Sequence, residues 1–247
     1  MALDHTADKL RPIDVGRSLI DTVYDRLVDA IATDQLSPGL RLNQRDLAER
    51  LMVSRQPVSH ALHRLRASGL AVEVGRKGLV VAPIDPKRLR DLYDLRTEIE
   101  ALAAGRAAEN VRMGLCGPAE IELLKRVVAV GSALTEQTSV LDCIAADVDF
   151  HLGIYRLCGS EVLMETIEPL WPHFRRSMGN TLGISGHREV SWRGHRAIAD
   201  AILSGDIDRA RATAREHISI AGNVAVRSLA DRETKPARPR QNRGGEV

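Results

Sequence analysis

The feature that most constrains the fold is the stretch VSRQPVSHALHRLRASGL, which occupies residues 53–70. Ser54 stands where a helix N-cap is favoured, and Gly69 stands where a helix commonly ends. Between them apolar residues recur every three or four positions, which predicts an amphipathic helix over residues 55–68. The apolar stripe consists of Val58, Ala61, Leu62 and Leu65. One face of this helix must therefore pack on a core, while the opposite face is polar and carries cations.

The segments around this helix predict a winged helix-turn-helix. Helical periodicity over residues 18–33 and 44–51 places two further helices before it. Two β-prone runs, LAVEV at 70–74 and LVVAP at 79–83, enclose the Gly-flanked basic turn GRKG and so predict a hairpin. Three helices followed by a two-stranded wing suit a domain that places its third helix in the major groove of DNA.

The local charge supports a DNA-binding role for this region. Residues 41–77 contain eight Lys or Arg and three Asp or Glu, a surplus of +5 within a chain of formal net charge +2. Such a surplus is what phosphate neutralisation requires. A basic helix alone could equally be a solvated surface helix, but the ordered succession of helices and wing favours DNA. Arg55 and Gln56, at the helix start, suit bidentate bonds to guanine and adenine edges.

The run PGLRLNQRDLAERLMVSRQPVSHALHRLRASGLAVEVGRKGLVVAP, about 45 residues long, resembles the N-terminal domain of GntR-family transcriptional regulators. The resemblance covers the second helix, the third helix and the wing. It implies that the side chains in contact with DNA include Arg45, Arg55, Arg76 and Lys77.

Three positions depart from the usual pattern of that family. Gln44 stands where Glu is usual, and Ser59 and His60 replace an Arg-Glu pair. A serine hydroxyl is short, uncharged and able to donate or accept, so we expect DNA binding to persist with an altered base preference at Ser59. The predicted contacts to double-stranded DNA are Arg45, Arg55, Gln56, Ser59, His60, Arg76 and Lys77.

The rest of the chain shows only helical periodicity. After a linker at 84–86, Gly-containing breaks divide the sequence into six or seven helices, which predicts an antiparallel bundle. The predicted fold class is therefore mainly α, a winged helix-turn-helix followed by an all-α bundle. We assign residues 1–83 to the DNA-binding domain, with order from about residue 15, and residues 84–230 to an effector-binding and dimerisation domain. Residues 231–247, almost without apolar groups, are predicted to be a disordered basic tail.

Four polar residues that face inward predict a metal site in the bundle. Asp147 and His151 are four positions apart and share a helical face, and His195 and His217 lie on the apolar stripes of two later helices. A single histidine on such a stripe is more often a core residue. Four buried polar groups without partners would together cost several kcal/mol, however, and one divalent cation would satisfy them all. A set of one Asp and three His ligands suits zinc, which is the metal that we expect, and it also suits nickel, manganese or iron.

Three segments resemble the FCD effector domain of the FadR subfamily: DLYDLRTEIEALAAGRAAE at 91–109, DVDFH at 147–151 and GHRAIADAILSGDIDRARATAREH at 194–217. The resemblance implies the metal-dependent branch of that subfamily, whose ligands are an Asp-x-x-x-His pair and two later histidines. In this chain the four positions are occupied by Asp147, His151, His195 and His217. The resemblance also implies that Arg96 pairs with the carboxylate of a small effector. An ion pair at the surface or between helices is the alternative reading of Arg96. Gly194 departs from the pattern, because a Glu usually precedes the third ligand.

These features together predict a transcriptional regulator and not an enzyme. A small carboxylate would bind at the metal and change the affinity for operator DNA, and repression is the commoner mode in the resembled family. Half-sites one turn apart need paired readers, so we expect a homodimer. The alternatives are a regulator that senses the metal itself, and a metal-dependent enzyme, for which the sequence offers no paired general base.

The cellular setting follows from what the sequence lacks. Its three cysteines show no CxxC spacing, its start is polar, and no run approaches 18 uncharged apolar residues. We therefore expect a cytoplasmic protein with no disulfide framework and no membrane association.

Overall fold

The computed structural model describes residues 18–182, 184 and 186–234. In this part of the chain ten α-helices and one two-stranded sheet form an N-terminal and a C-terminal unit. The predicted fold class is confirmed: the protein is mainly α, with a winged helix-turn-helix followed by a helical bundle.

The N-terminal unit contains three helices and the two-stranded wing. Its elements are α1 (Leu19–Ala32), α2 (Gln44–Leu51), α3 (Arg55–Ala67), β1 (Ala71–Val74) and β2 (Gly78–Val81). The strands pair antiparallel with Ala71 opposite Val81, and the basic segment Gly75–Lys77 forms a 3-10 turn at the tip. The four predicted apolar residues of α3 are all buried in the core of this unit.

The contact that fixes the start of α3 is not the predicted capping bond from Ser54. Ser54 is the N-cap residue, but among the described residues its hydroxyl accepts no capping bond from the helix backbone. The Gln44 side chain instead donates to the carbonyl of Arg55 at 2.8 Å and ties α2 to the first residue of α3. At the other end Gly69 adopts a φ of 78°, which lets the chain leave the helix for the wing.

Seven helices form the C-terminal unit, in agreement with the six or seven predicted. They are α4 (Pro86–Arg112), α5 (Pro118–Ser132), α6 (Val140–Cys158), α7 (Glu161–Ile167), α8 (Trp171–Thr181), α9 (His187–Leu203) and α10 (Ile207–Thr234). The long helices α4 and α10 pack most extensively, and α6 and α9 close the core against them. Within the described residues, no helix is long and apolar enough to cross a membrane.

The predicted tail boundary is wrong for residues 231–234, which continue α10. The helix extends this far because Ala225, Ser228 and Leu229 still pack against the bundle. Residues 235–247 of the predicted tail, and residues 15–17 of the predicted ordered region, lie outside the described residues.

Helix α8 belongs to the bundle but also contacts the N-terminal unit. Three of its side chains bond that unit: His173 donates to the carbonyl of Ser68 at 2.7 Å, Arg176 donates to the carbonyl of Ala82 at 2.6 Å, and Arg175 forms an ion pair with Asp29 of α1. Ser68 caps the end of α3, and Ala82 directly follows β2. Helix α8 therefore holds α3, the predicted recognition helix for DNA, together with the wing and α1.

The close approach of α8 to α1 requires glycine at position 179. A Cβ atom there would lie 1.8 Å from the carbonyl oxygen of Ala32. We expect Gly179→Ala to lower the free energy of unfolding by about 1–3 kcal/mol in urea denaturation, because the two helices must separate. Gly153→Ala is the matched control, since its Cβ would meet Leu124 Cδ1 at an ordinary 3.5 Å. That control should gain about 0.5–1 kcal/mol from helix propensity, and equal stabilities of the two variants would contradict the close approach.

Candidate metal centre and DNA-binding surface

Three histidines from three helices converge in the core of the bundle. His151 on α6, His195 on α9 and His217 on α10 each offer one ring nitrogen, and these nitrogens all lie within 4.8 Å of one another. Their residues are 1%, 0% and 9% exposed, respectively. The apolar stripes of the three helices bring them together, because each stripe faces the shared core. This arrangement suits the coordination of a single cation.

Asp147 borders this group on the side of α6. Its Oδ2 atom is 3.7 Å from His151 Nε2, and its Oδ1 atom is 3.4 Å from His195 Nε2. Zinc ligands lie about 2.1 Å from the ion, so two ligand atoms of one ion are less than about 4.2 Å apart. Both distances from Asp147 lie within this limit. The structure thus brings all four predicted residues into one place, with the three histidines as the compact group and Asp147 beside two of them.

Several polar atoms of this cluster are buried without a hydrogen-bond partner within the described part of the chain. They are Asp147 Oδ2, His151 Nε2 and both ring nitrogens of His195. Each such atom costs about 1–3 kcal/mol when it stays unsatisfied. A divalent cation is the group that this donor set fits, since carboxylate and imidazole ligands together suit zinc and related metals.

Burial also sets the protonation of the cluster. It raises the pKa of Asp147, and together with the neighbouring His217 and His151 it lowers the pKa of His195 well below the usual value. Burial lowers the pKa of His217 to about 3. At neutral pH these two imidazoles are therefore uncharged, which is the form that ligates a metal.

Sequence reasoning missed Glu100, which orients His151. Its Oε2 atom lies 3.1 Å from His151 Nδ1, and its Oε1 atom accepts from Arg96 Nε at 3.1 Å. Burial opposes ionisation of Glu100, but His151 and the Arg96 guanidinium outweigh it and lower the pKa to about 2. An ionised Glu100 makes Nδ1 of His151 the donor and leaves Nε2 free to face the cluster. The signal was present in the sequence, because Glu100 follows Arg96 by four positions on the buried stripe of α4.

The predicted effector residue Arg96 is fully buried beneath α8. Its guanidinium carbon lies 4.7 Å from the ring centroid of Trp171 and 4.8 Å from that of Phe174. Its ion pair is with Glu100 on the same helix, so it pairs neither at the surface nor across helices. Arg96 NH2 and the Tyr155 hydroxyl are buried with no hydrogen-bond partner among the described residues.

The predicted DNA contacts lie on α3, on α2 and in the turn of the wing. Arg55, Gln56 and His60 are exposed on α3, and Ser59 is half-buried between them. Arg45 is exposed on α2 in an ion pair with Glu49. The remaining two, Arg76 and Lys77, are exposed in the turn of the wing.

Part of the cationic surplus of this region serves the fold. Arg64 forms an ion pair with Asp21 at 2.6 Å and stacks on the ring of Tyr24, and Arg66 forms an ion pair with Glu73 at 2.7 Å. These two arginines join α3 to α1 and to the wing. The cations that remain for phosphates include Arg55 at the start of α3 and Arg76 and Lys77 at the wing tip.

Comparison with protein families assigns both units. The model "Bacterial regulatory proteins, gntR family" matches residues 19–81, and the model "FCD domain" matches residues 91–219. The FCD match contains all four predicted metal ligands as well as Arg96 and Glu100.

Similar proteins are transcriptional regulators. An uncharacterised HTH-type transcriptional regulator in an unstable DNA locus of Streptomyces ambofaciens is 28% identical over 82% of this chain and 83% of its own length. The HTH-type transcriptional repressor RspR of Escherichia coli is 26% identical over 74% of this chain and 78% of its own. The solved structure of E. coli McbR/YncC covers 86% of this chain and 99% of its own with a TM-score of 0.73 at 22% identity, which shows a shared fold. These relatives agree with the prediction of a regulator and not an enzyme. The chain belongs to the GntR family of bacterial transcriptional regulators, with a GntR-type DNA-binding domain followed by an FCD domain.

Proposed function

We propose that this regulator is a repressor of the FadR subfamily whose binding to operator DNA is controlled by a small organic acid at a metal ion in the FCD domain. The observation that carries the proposal is the cluster of buried, unpartnered nitrogen and oxygen atoms from α6, α9 and α10. The metal ligands are Asp147, His151, His195 and His217. Zinc is the expected ion, with nickel, manganese and iron as alternatives. The relative RspR is named a repressor, which supports the sign of the regulation.

The chemistry of the site favours a carboxylate effector. The bound metal would supply a Lewis-acid position for one carboxylate oxygen, since four protein ligands leave room in a five- or six-coordinate sphere. Arg96 would supply a charged donor close to the cluster, and its NH2 group has no protein partner among the described residues. A guanidinium recognises a carboxylate with two parallel hydrogen bonds, which gives direction as well as affinity.

The DNA-binding unit would place the start of α3 in the major groove. Arg55 and Gln56 then face base edges, and Arg76 and Lys77 reach phosphates or the minor groove beside them. Ser59 marks the position at which the operator is expected to differ from those of relatives. Because operator DNA is its partner, we infer that the protein works in the cytoplasm.

Helix α8 offers a physical route between the two sites. Its residues Trp171 and Phe174 cover the Arg96 guanidinium, while its residues His173 and Arg176 bond the ends of the recognition helix and of the wing. A ligand that draws Arg96 away from the two rings would change the packing of α8, and a packed helix transmits such a change as a shift of the whole element.

Two copies of the chain would bind one operator as a homodimer. Operators with paired half-sites need two recognition helices in fixed relation. Leu95 and Leu102, seven residues apart on α4, are large apolar side chains that one chain leaves exposed. Such residues on one helical face are typical of a surface that a partner covers.

A metal sensor is the second candidate function, because the same buried cluster would also bind the ion if the ion itself were the signal. The two functions differ in what releases the DNA: metal alone for a sensor, and metal together with a carboxylate for an effector-dependent repressor.

Removal of one metal ligand tests the proposed function. We expect His195→Ala to keep its DNA affinity within about threefold of wild type, to melt at a lower temperature with zinc present, and to lose the response to carboxylic acids. The assay is fluorescence anisotropy with DNA from upstream of the protein's own gene, in EDTA, in zinc, and in zinc with sugar acids, hydroxy acids or dicarboxylates.

In wild type, at least one acid should weaken DNA binding tenfold or more in zinc and have no effect in EDTA. Release by zinc alone would support the metal sensor. An acid response that survives in His195→Ala would contradict the metal site.

The role of Glu100 gives a separate prediction. Glu100→Gln removes the charge that orients His151 and balances Arg96, so zinc affinity should fall about 10–100-fold in competition with a chromophoric chelator. Glu98→Gln is the matched control on the same helix, since Glu98 is exposed and bonded to Arg215. The zinc affinity of Glu98→Gln should lie within about twofold of the wild-type value. Equal zinc affinities of the two variants would show that Glu100 does not support a metal ligand.

A further inference from the structure

A groove of about 370 Å³ runs between α9 and α10 and reaches the metal cluster. Its volume lies at the lower end of the range for small-molecule sites. Its wall is mixed: aliphatic residues alternate with polar and charged ones, among them Arg193 and Glu216. Val190 and Ile220 are its large aliphatic residues, and His187 and Ser191 lie among its polar ones.

The groove reaches the cluster because position 194 is glycine. A Cβ atom on Gly194 would lie 2.4 Å from His217 Nδ1. Any side chain at this position would therefore displace the His217 ring or cover it. The departure from the usual Glu, noted in the sequence, has a structural consequence: the edge of one cluster histidine forms part of the groove wall.

The outer part of the groove exposes aliphatic side chains. Val190 is 49% exposed and Ile220 is 44% exposed. Ile220 follows His217 by three positions on α10, and its side chain lines the groove. Large aliphatic groups beside a buried polar cluster suit a ligand with one polar end and one apolar end.

His187, which sequence reasoning did not consider, is the polar residue at the start of α9. It is half-buried, lines the groove and lies near enough to Asp147 for their charges to interact. Together with Ser191 on the next turn, it could bond a polar substituent of a ligand that extends outward from the cluster.

We propose that the α9–α10 groove binds the distal part of the effector, and that the effector is a small carboxylic acid with an apolar substituent about the size of a phenyl ring. This inference rests on the proposed function, because the carboxylate is taken to bind at the metal. The continuity of the groove with His217 argues for a small molecule as the occupant, since the groove joins the surface to a buried polar cluster.

Cobalt-loaded protein tests the groove without DNA, because ligand binding changes the visible spectrum of the ion. The probes are acetate, which is too short to fill the groove, and 3-phenylpropionate, which carries a ring. Wild type should bind 3-phenylpropionate at least tenfold more tightly than acetate.

Val190→Trp should fill the groove and lower the 3-phenylpropionate affinity about tenfold, with acetate affinity unchanged within twofold. Val130→Trp is the matched control, since Val130 on α5 is similarly exposed and lies outside the groove. It should behave as wild type. If Val190→Trp fails to fold, Ile220→Ala removes the opposite wall and should reduce the preference for the ring instead.

Three results would overturn the proposal in distinguishable ways. Equal affinities of wild type for the two acids, or an unchanged 3-phenylpropionate affinity in Val190→Trp, would show that the groove is not a ligand site. If Val190→Trp had a lower molecular mass in solution than wild type, the groove would be an interface with a second copy of the chain. A cobalt spectrum that never forms, or that neither acid changes, would refute the metal and carboxylate of the proposed function itself.

Discussion

The rest of the structure depends on one constraint: polar atoms are buried in the bundle core, and several of them have no hydrogen-bond partner among the described residues. Asp147, His151 and His195 bring carboxylate and imidazole atoms into a bundle core that is otherwise largely apolar, apart from residues such as Arg96 and Glu100. In water these atoms would all be hydrogen-bonded, whereas here several have no partner among the described residues. Four helices pack closely around this point, so the fold supplies the geometry and a bound ion would supply the missing interactions.

A second layer of contacts connects this cluster to the DNA-binding unit. Glu100 bonds both His151 and Arg96, and the Arg96 guanidinium lies against two rings of α8. The same helix bonds the carbonyl groups that follow the recognition helix and the wing. Each step is a direct contact, so a continuous path of contacts joins the cluster to the end of α3.

The parts of the fold that the sequence predicts well are those with local signals. The wing follows from two β-prone runs around a Gly-flanked turn, and the buried face of α3 follows from its helical periodicity. The histidine cluster was predictable for the same reason, since His151, His195 and His217 each lie on the apolar stripe of an amphipathic helix. Stripes of separate helices share one core, which places such residues near one another.

Contacts between distant helices were not predictable in this way. Glu100 and His151 are 51 positions apart, and only the packing of α4 on α6 brings them together. The importance of Gly194 depends on the position of a ring on α10, which no local pattern contains. Ile220 shows the limit of periodicity: it lies three positions after the buried His217 on α10 and so shares its helical face, yet the groove between α9 and α10 leaves it exposed.

The most direct test of the central claim is hydrogen–deuterium exchange of the full chain, compared between zinc-free and zinc-saturated protein. If the ion completes the buried cluster, zinc should slow exchange in α6, α9 and α10, whose side chains ligate it. Through Glu100 and Arg96 the protection should extend to α4 and α8. Unchanged exchange in α6, α9 and α10 at saturating zinc would contradict the account.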